Sequence, residues 1–269
     1  MPINRQGLLY IKREKMKAKI VVVGNEKGGT GKSTLAMHLV VQWLRDGKKV
    51  AVIDLDNRQG TVSRYLENRK KFIEKEGIPL PMPEYMRLVN ISNEIMFLRA
   101  QTERLSKLFD IIVLDTPGMD SALTMEAVFM ADTLLTPIND SLLDLDVLGK
   151  IDSASFQVKM PGQYTERIAF VRKKRQMMGK SPLNWIVMRN RLSPFKNKNR
   201  LLMDKLLEKL SVCVHFTVLP GLTERVIFRE LFLKGLTMLD LRENGLKVPL
   251  SLSHVAARQE IRQLSNQVL

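Results

Sequence analysis

Lys19-Ile20-Val21-Val22-Val23-Gly24-Asn25-Glu26-Lys27-Gly28-Gly29-Thr30-Gly31-Lys32-Ser33-Thr34 is the stretch on which the fold turns. Its first half is an apolar, β-branched run of strand type, and a helical window, Ser33–Leu44, follows the glycines. Glycines in such a position let backbone N–H groups curl around phosphate oxygens, and the positive end of the helix dipole favours the same anion. A lysine at 32 would reach β- and γ-phosphates, and the Ser33 hydroxyl would ligate Mg²⁺. The generic phosphate-loop pattern asks for glycine where this chain has Glu26, so the strict pattern fails. In its place stands Lys-Gly-Gly-Thr-Gly-Lys-Ser, with an additional lysine at 27. A plain glycine turn between strand and helix does not explain two lysines bracketing three glycines.

Outward from the loop, short apolar runs alternate with helical windows. Asp54 closes the run Lys49–Asp54, Asp115 closes Asp110–Asp115, and Thr133–Pro137 and Trp185–Met188 read as further buried strands. Val212–Val218 offers a sixth. Between them lie Gln59–Glu76, Asn93–Leu108, Ser121–Met130 and Arg200–Leu210 as helices. Runs apolar on both faces suit a parallel sheet covered on each side. The expected fold is α/β, a P-loop NTPase with a doubly wound, mostly parallel sheet and helices on both faces. Lys159–Ser181, with the basic cluster Arg172–Arg175, breaks the rhythm and reads as a surface insertion. Trp43 and Trp185 read as core, and His38, His215 and His254 show no metal-ligand spacing. The divisions expected are a basic extension over 1–18, the main domain over 19–242, and a tail or helix over 243–269.

The run Lys27–Ser33 resembles the deviant Walker A box of the ParA/MinD family of P-loop ATPases. Val52-Ile53-Asp54-Leu55-Asp56 resembles that family's second box, and Val113-Leu114-Asp115-Thr116-Pro117-Gly118 its Walker B strand and following switch. Asp56-Asn57-Arg58-Gln59-Gly60 departs from the Asp-Pro-Gln-Gly of most chromosome-partition relatives. That string, with Thr136–Ser141, Met188–Leu192 and Pro220–Leu222 followed by Arg225–Phe232, is similar to the MipZ branch, ATPases that position the division plane. The resemblance spans residues 19–242. It implies ATP and Mg²⁺ as ligands, with Gly28, Gly29, Thr30, Gly31, Lys32, Ser33 and Thr34 cradling the phosphates. It implies that Asn190 hydrogen-bonds adenine and that Pro220 with its neighbours lines the base pocket. Ser33, Asp54 and Asp115 would serve the metal and its outer shell, and Asp56 would position the attacking water. Asp54 and Asp56 end what reads as the strand beside that of the phosphate loop, at the ligand-bearing edge of such a sheet. Lys27 would cross to a partner's phosphates in an ATP-bound homodimer, as a cation supplied in trans can accelerate phosphoryl transfer by about 10³–10⁵.

The 269 residues carry 43 Lys+Arg against 28 Asp+Glu, a formal +15. The surplus sits at the ends: +5 over residues 1–20, −2 over 21–150 and +12 over 151–269. A basic half suits an anionic partner. Through the resemblance, Lys196, Lys198, Arg200, Arg225 and Arg229 match or neighbour positions that bind DNA non-specifically; without aromatic interleaving they would read phosphates and not sequence. The same resemblance implies a ParB-like partition protein and FtsZ as partners, in a bacterial cytoplasm with nucleoid or polar association. A ParA-type partition ATPase is the alternative. One cysteine excludes a disulfide framework and the paired-cysteine chemistry of the nitrogenase iron protein; Cys213 reads as a buried spectator. No substrate pocket of the biotin-pathway ligases is legible, and no run reaches the roughly 18 apolar residues of a membrane span. The stripe Ala257, Ile261, Leu264 and Val268 reads as a helix packing on the body or a frayed tail, not a stable membrane anchor.

Overall fold

The computed structural model describes residues 17–89, 91–152, 155–193, 198–242 and 251–269. The expected extension therefore lies outside the described residues, apart from Lys17 and the buried Ala18 that lead into the first strand. In chain order the elements are β1 (Lys19–Val23), α1 (Lys32–Arg45), β2 (Val50–Asp54), α2 (Thr61–Glu76), β3 (Glu84–Arg87), α3 (Glu94–Ser106), β4 (Ile111–Asp115), α4 (Ala122–Met130) and β5 (Thr133–Asn139). There follow α5 (Leu142–Leu145), β6 (Gly149–Ile151), β7 (Val158–Pro161), α6 (Gln163–Met177), β8 (Asn184–Asn190), α7 (Lys198–Val214), β9 (Thr217–Leu219), α8 (Ile227–Leu233) and, after a 3₁₀ turn at Asp240–Arg242, α9 (Leu252–Val268).

Seven strands form one sheet in the order β3-β2-β4-β1-β5-β8-β9, with every pair parallel. The β-branched runs explain this. Ile20 and Val22 face one side, where α3, α4, α6 and α7 cover them; Val21 and Val23 face the other, under α1, α2, α8 and α9. A strand buried on both faces needs apolar residues at every position, and a parallel sheet covered by helices on each side gives these runs that setting. The helix starts at Asn93 and Ser121 are side-chain caps: Asn93 accepts from the Met96 N–H at 3.1 Å and Ser121 from the Thr124 N–H at 3.0 Å.

Four expectations need correction. The strand carrying Asp54 is not beside the phosphate-loop strand, because β4 runs between them. Register nonetheless aligns Val23, Asp115 and Asp54 across the three strands, so the carboxylates still converge at one sheet edge. Lys159–Ser181 is not an insertion. Its centre is α6, the crossover between β5 and β8, with Tyr164, Ile168 and Val171 in the core. The basic cluster misled because Arg175 is buried, donating to the carbonyls of Phe129, Ala131 and Ser181, while Arg172 bonds the Val214 and His215 carbonyls at the end of α7. Only Lys173 and Lys174 of that run face outward. The expected strand at Val212–Val218 begins inside the last turn of α7, which ends at Val214; only Thr217 and Val218 belong to β9, and Cys213, on the helix, is exposed.

α9 settles the choice left open for the C-terminal stripe. Ala257, Ile261, Leu264 and Val268 are buried in the cluster that includes α1, and the Val268 carbonyl accepts from Thr133 Oγ1 of β5 at 3.0 Å. Ile261, Leu264 and Val268 each contribute about 1.5–3 kcal/mol by burial. Among the described residues, no helix is long and apolar enough to cross a membrane.

Candidate functional site

The loop between β1 and α1 is held from several directions by elements far away in sequence. Asn25 Nδ2 donates to the Pro137 carbonyl at 2.8 Å, and its Oδ1 accepts from the Lys27 N–H at 2.9 Å. Tyr164 of α6 donates to the Gly24 carbonyl at 3.1 Å. Lys32, nearly buried, reaches back to the Lys27 carbonyl at 3.1 Å, so its ammonium lies in the bowl of the loop. Burial lowers the Lys32 pKa, and the Asp115 and Asp56 carboxylates oppose that. Gly31 has φ +84°, and a Cβ there would fall 2.2 Å from Asn190 Nδ2, which donates to the Thr30 carbonyl at 2.8 Å. Only glycine fits this position. Gly118, after β4, lies so close that a Cβ would stand 2.9 Å from Gly28 Cα and 3.2 Å from Lys32 Nζ.

Ser33 Oγ donates to Asp115 Oδ2 at 2.7 Å, while Asp115 Oδ1 is buried without a hydrogen-bond partner. Burial and the neighbouring Asp54 both raise the Asp115 carboxyl pKa. A hydroxyl beside an under-neutralised buried carboxylate, at the rim of a phosphate loop, is a donor set that suits Mg²⁺. Among the described residues no group of three or more His, Cys, Asp or Glu could hold a metal by itself. A divalent ion here would therefore draw on Ser33, phosphate oxygens and water. Asp54 is placed beside Asp115, but its own oxygens are engaged. Oδ2 accepts from the N–H and hydroxyl of Ser63 at 2.9 and 2.8 Å, and Oδ1 from the Asp56 N–H at 3.0 Å. Asp54 thus fixes the start of α2 and the loop carrying Asp56. Asp56 in turn accepts the Arg58 and Gln59 N–H groups at one oxygen. It lines a cleft of about 440 Å³ together with Gly28, Lys32, Ser33 and Gly118.

Lys27 points away from this cleft. Its ammonium is ion-paired to Asp144 at α5, whose other oxygen accepts from the Asn139 N–H at 2.9 Å. The two loop lysines are therefore divided between two surfaces: one inside the bowl, one on the rim.

Beyond Gly31 and Thr34 a second cavity, of about 300 Å³, is lined by His38, Asn190, Leu222 and Phe228 among others. Gly31, Thr34, Thr61 and Arg191 line both cavities and mark their junction, and Asn190 stands on the wall of the second. Pro220 does not line this one; it borders a separate cleft with Arg200 and Asp204. The Leu222 N–H donates to the Arg189 carbonyl and the Leu192 N–H to that of Leu222, which ties Leu222 to the end of β8. Leu222, a wall residue of this cavity, belongs to the same Pro-Gly-Leu string and is one of the neighbours of Pro220 expected there. Sequence reasoning missed Asn25, Tyr164, Asp144 and Arg167.

The five basic residues do not form one uniform patch. Lys196 lies outside the described residues. Lys198 is exposed at the start of α7, and Arg200, half-buried, donates to the Ser193 carbonyl at 3.2 Å. Arg229 is exposed and pairs with Glu224 at 2.9 Å. Arg225 is not a surface cation: its side chain is 10% exposed and forms a two-pronged pair with Glu260 at 2.8 and 2.9 Å.

Comparison with known proteins adds to this geometry. The family model described as ATPase MipZ matches residues 19–269, so the match includes α9. Protein IncC of Escherichia coli is 32% identical over 49% of this chain and 44% of its own length. The chromosome partitioning protein ParA of Myxococcus xanthus is 25% identical over 55% of this chain and 63% of its own. The chain thus spans about half the length of the curated relatives it matches. An ATP complex of a McdA variant from Cyanothece is similar in fold, with a TM-score of 0.58, 17% identity and coverage of 91% of this chain and 97% of that one.

Proposed function

This chain belongs to the ATPase MipZ family, and from that membership we propose that it is a Mg²⁺-dependent ATPase whose ATP-bound homodimer restricts where a bacterium divides. The observation that carries the reading is the division of labour between the two loop lysines. Lys32 already occupies the bowl, so charge neutralisation of a bound triphosphate starts within one subunit. Lys27 sits on the rim, held by Asp144, where it can serve only a molecule docked against this face.

In the proposed reaction the amides of Gly28 to Thr34 cradle the phosphates, and Asn190 and Leu222 receive the base. Ser33 would ligate Mg²⁺ with Asp115 in its outer shell; when bound, the ion supplies charge neutralisation and orientation at the β- and γ-phosphates. Asp54, through its bonds to Ser63 and the Asp56 N–H, holds the loop from which Asp56 orients the attacking water. Lys27 leaves Asp144 and contributes its charge across the dimer. Hydrolysis then removes the reason for the dimer to persist.

Lys198, Arg200 and Arg229 are the residues proposed to contact DNA phosphates, doubled in number by dimerisation. A ParB-like partition protein would recruit the molecule to the nucleoid or pole in the cytoplasm, and FtsZ would be the target kept from assembling away from midcell. A second reading, a ParA-type partition ATPase, is favoured by the identity shared with IncC and ParA.

Light scattering of polymerising FtsZ with ATP-loaded protein separates the two. A fall in polymer mass is expected; unchanged polymer would move the assignment to partition. Sedimentation tests the lysine division: Lys27→Glu should remain monomeric with ATP while still binding nucleotide. Wild-type dimers from that variant would remove the trans role.

A further inference from the structure

Glu26, the residue that breaks the ordinary phosphate-loop pattern, and α6, the segment whose sequence suggested an insertion, meet at one side chain. Arg167 of α6 sends Nη1 to Glu26 and Nη2 to Asp120, the latter at 2.9 Å. Glu26 immediately precedes Lys27 in the phosphate loop, and Asp120 lies in the loop that follows Asp115, Pro117 and Gly118. The two loops touch at Gly28 and Gly118, where no side chain fits between them. One guanidinium thus spans both banks of the cleft that Lys32 and Asp56 line. The base of α6 is fixed against the same loop, because Tyr164, one turn earlier, donates to the Gly24 carbonyl at 3.1 Å.

We infer that Arg167 is a positioning residue that clasps the phosphate loop to the loop after β4, setting the spacing of Lys27, Lys32 and Gly118 around the transferred phosphate. The inference rests on the ATPase reading given above. Arg167 is not among the residues lining that cleft; it acts through Glu26 and Asp120. A pair on an open surface would contribute little, but a planar fork shared by two carboxylates fixes direction as well as distance. Glutamate at 26 is then required as the anchor on the loop, which explains the departure from glycine. Because phosphoryl transfer depends on positioning and charge placement, a shift on the order of 1 Å between the two loops is costly to turnover.

The test compares full-length wild type with Arg167→Gln, Arg167→Lys, Glu26→Gln and Asp120→Asn. Hydrogen exchange of the nucleotide-free proteins reads the clasp directly: amides in 25–29 and 117–121 should exchange faster in Arg167→Gln than in wild type. Turnover at saturating MgATP should fall about tenfold with KM and ADP affinity nearly unchanged, the signature of lost positioning. Arg167→Lys can satisfy one carboxylate at a time and should recover part of the rate. Arg167→Gln combined with Asp120→Asn should be no slower than Arg167→Gln alone. Unchanged exchange in either loop overturns the clasp, and so does raised exchange with wild-type turnover. Should Arg167→Gln fail to fold, Glu26→Gln and Asp120→Asn must each reproduce faster exchange in the loop across the cleft, and failure to do so overturns it equally. Absence of turnover in wild type would count against the ATPase reading, and the exchange measurement would still decide the clasp.

Discussion

Replacing Arg225 by glutamine separates a structural arginine from a DNA-contacting one. In the native chain its guanidinium takes both Glu260 oxygens, donates to the Thr223 carbonyl at 3.2 Å and bonds Ser253 Oγ at 3.1 Å. Glu260 also accepts from the Thr223 N–H and hydroxyl at 3.2 and 3.0 Å. Side-chain exposures of 10% and 24% place the pair between two limits. Exposed pairs contribute about 0–1 kcal/mol, whereas breaking a buried one costs about 3–5 kcal/mol. We expect about 2 kcal/mol for Arg225→Gln, equivalent to a Tm lower by roughly 4–8 °C in a chain of this size. Glu260→Gln should cost a similar amount, and the double variant about 1–2 kcal/mol less than the sum, since neither charge is then stranded. Burial alone would raise the Glu260 pKa, but the Arg225 hydrogen bonds and charge hold it below the ordinary carboxylate value. The pair's contribution is therefore present at neutral pH and is lost as pH falls below about 4.5, where the unfolded carboxyl protonates. Urea unfolding of the four proteins at pH 7 measures the energies, and duplex-DNA retention over a salt series measures the contact. The reasoning is refuted if Arg225→Gln unfolds at the wild-type urea midpoint while its log–log salt slope for DNA drops by about one.

Three further predictions concern the site and its supports. Gly31→Ala forces a Cβ against Asn190 at φ +84°; it should cost about 1–3 kcal/mol of strain and weaken ATP binding at least tenfold by calorimetry, and wild-type affinity would contradict the geometry. Burial lowers the His38 pKa to about 4, with Nδ1 bonded to the Thr34 carbonyl and Nε2 accepting from the Met238 N–H; since the folded value is depressed, stability should fall as pH drops from about 6.5 to 4, by roughly 3 kcal/mol, and His38→Gln should lack that component of the urea-derived pH profile. Asp240→Asn leaves Arg69, wholly buried and otherwise two-pronged on Asp240 at 2.7 and 2.9 Å, without a counter-charge; a loss of about 3–5 kcal/mol is expected in urea, and a loss under 1 kcal/mol would show that the Gly235 and Pro81 carbonyls suffice.

Local order was readable wherever the chain's own spacing enforces it. Lys19–Val23, apolar on both faces, has to be a covered parallel strand; the glycines before Lys32 have to be a loop at a helix start; Asn93 and Ser121 cap their helices through bonds three residues long. The stripe of Ala257, Ile261, Leu264 and Val268 fixed which face of α9 is buried, although not that α1 receives it. These are short-range consequences of periodicity, sterics and backbone hydrogen bonding, and the sequence by itself determined them.

Only the tertiary structure decided what long-range contacts assemble. That β4 runs between β1 and β2 follows from strand order, which no run of residues encodes locally. Arg172 and Arg175 looked like surface charge because charge is normally solvated; carbonyls from other elements make their burial tolerable, and those partners are distant in sequence. Arg225 was misread for the same reason, its partner lying 35 residues away on α9. Asp144 beside Lys27, and Arg167 between Glu26 and Asp120, are likewise pairings across 117, 141 and 47 residues. Spacing along the chain named the chemistry of the phosphate loop; the partner that each of its charges takes was set by which elements folding brought against it.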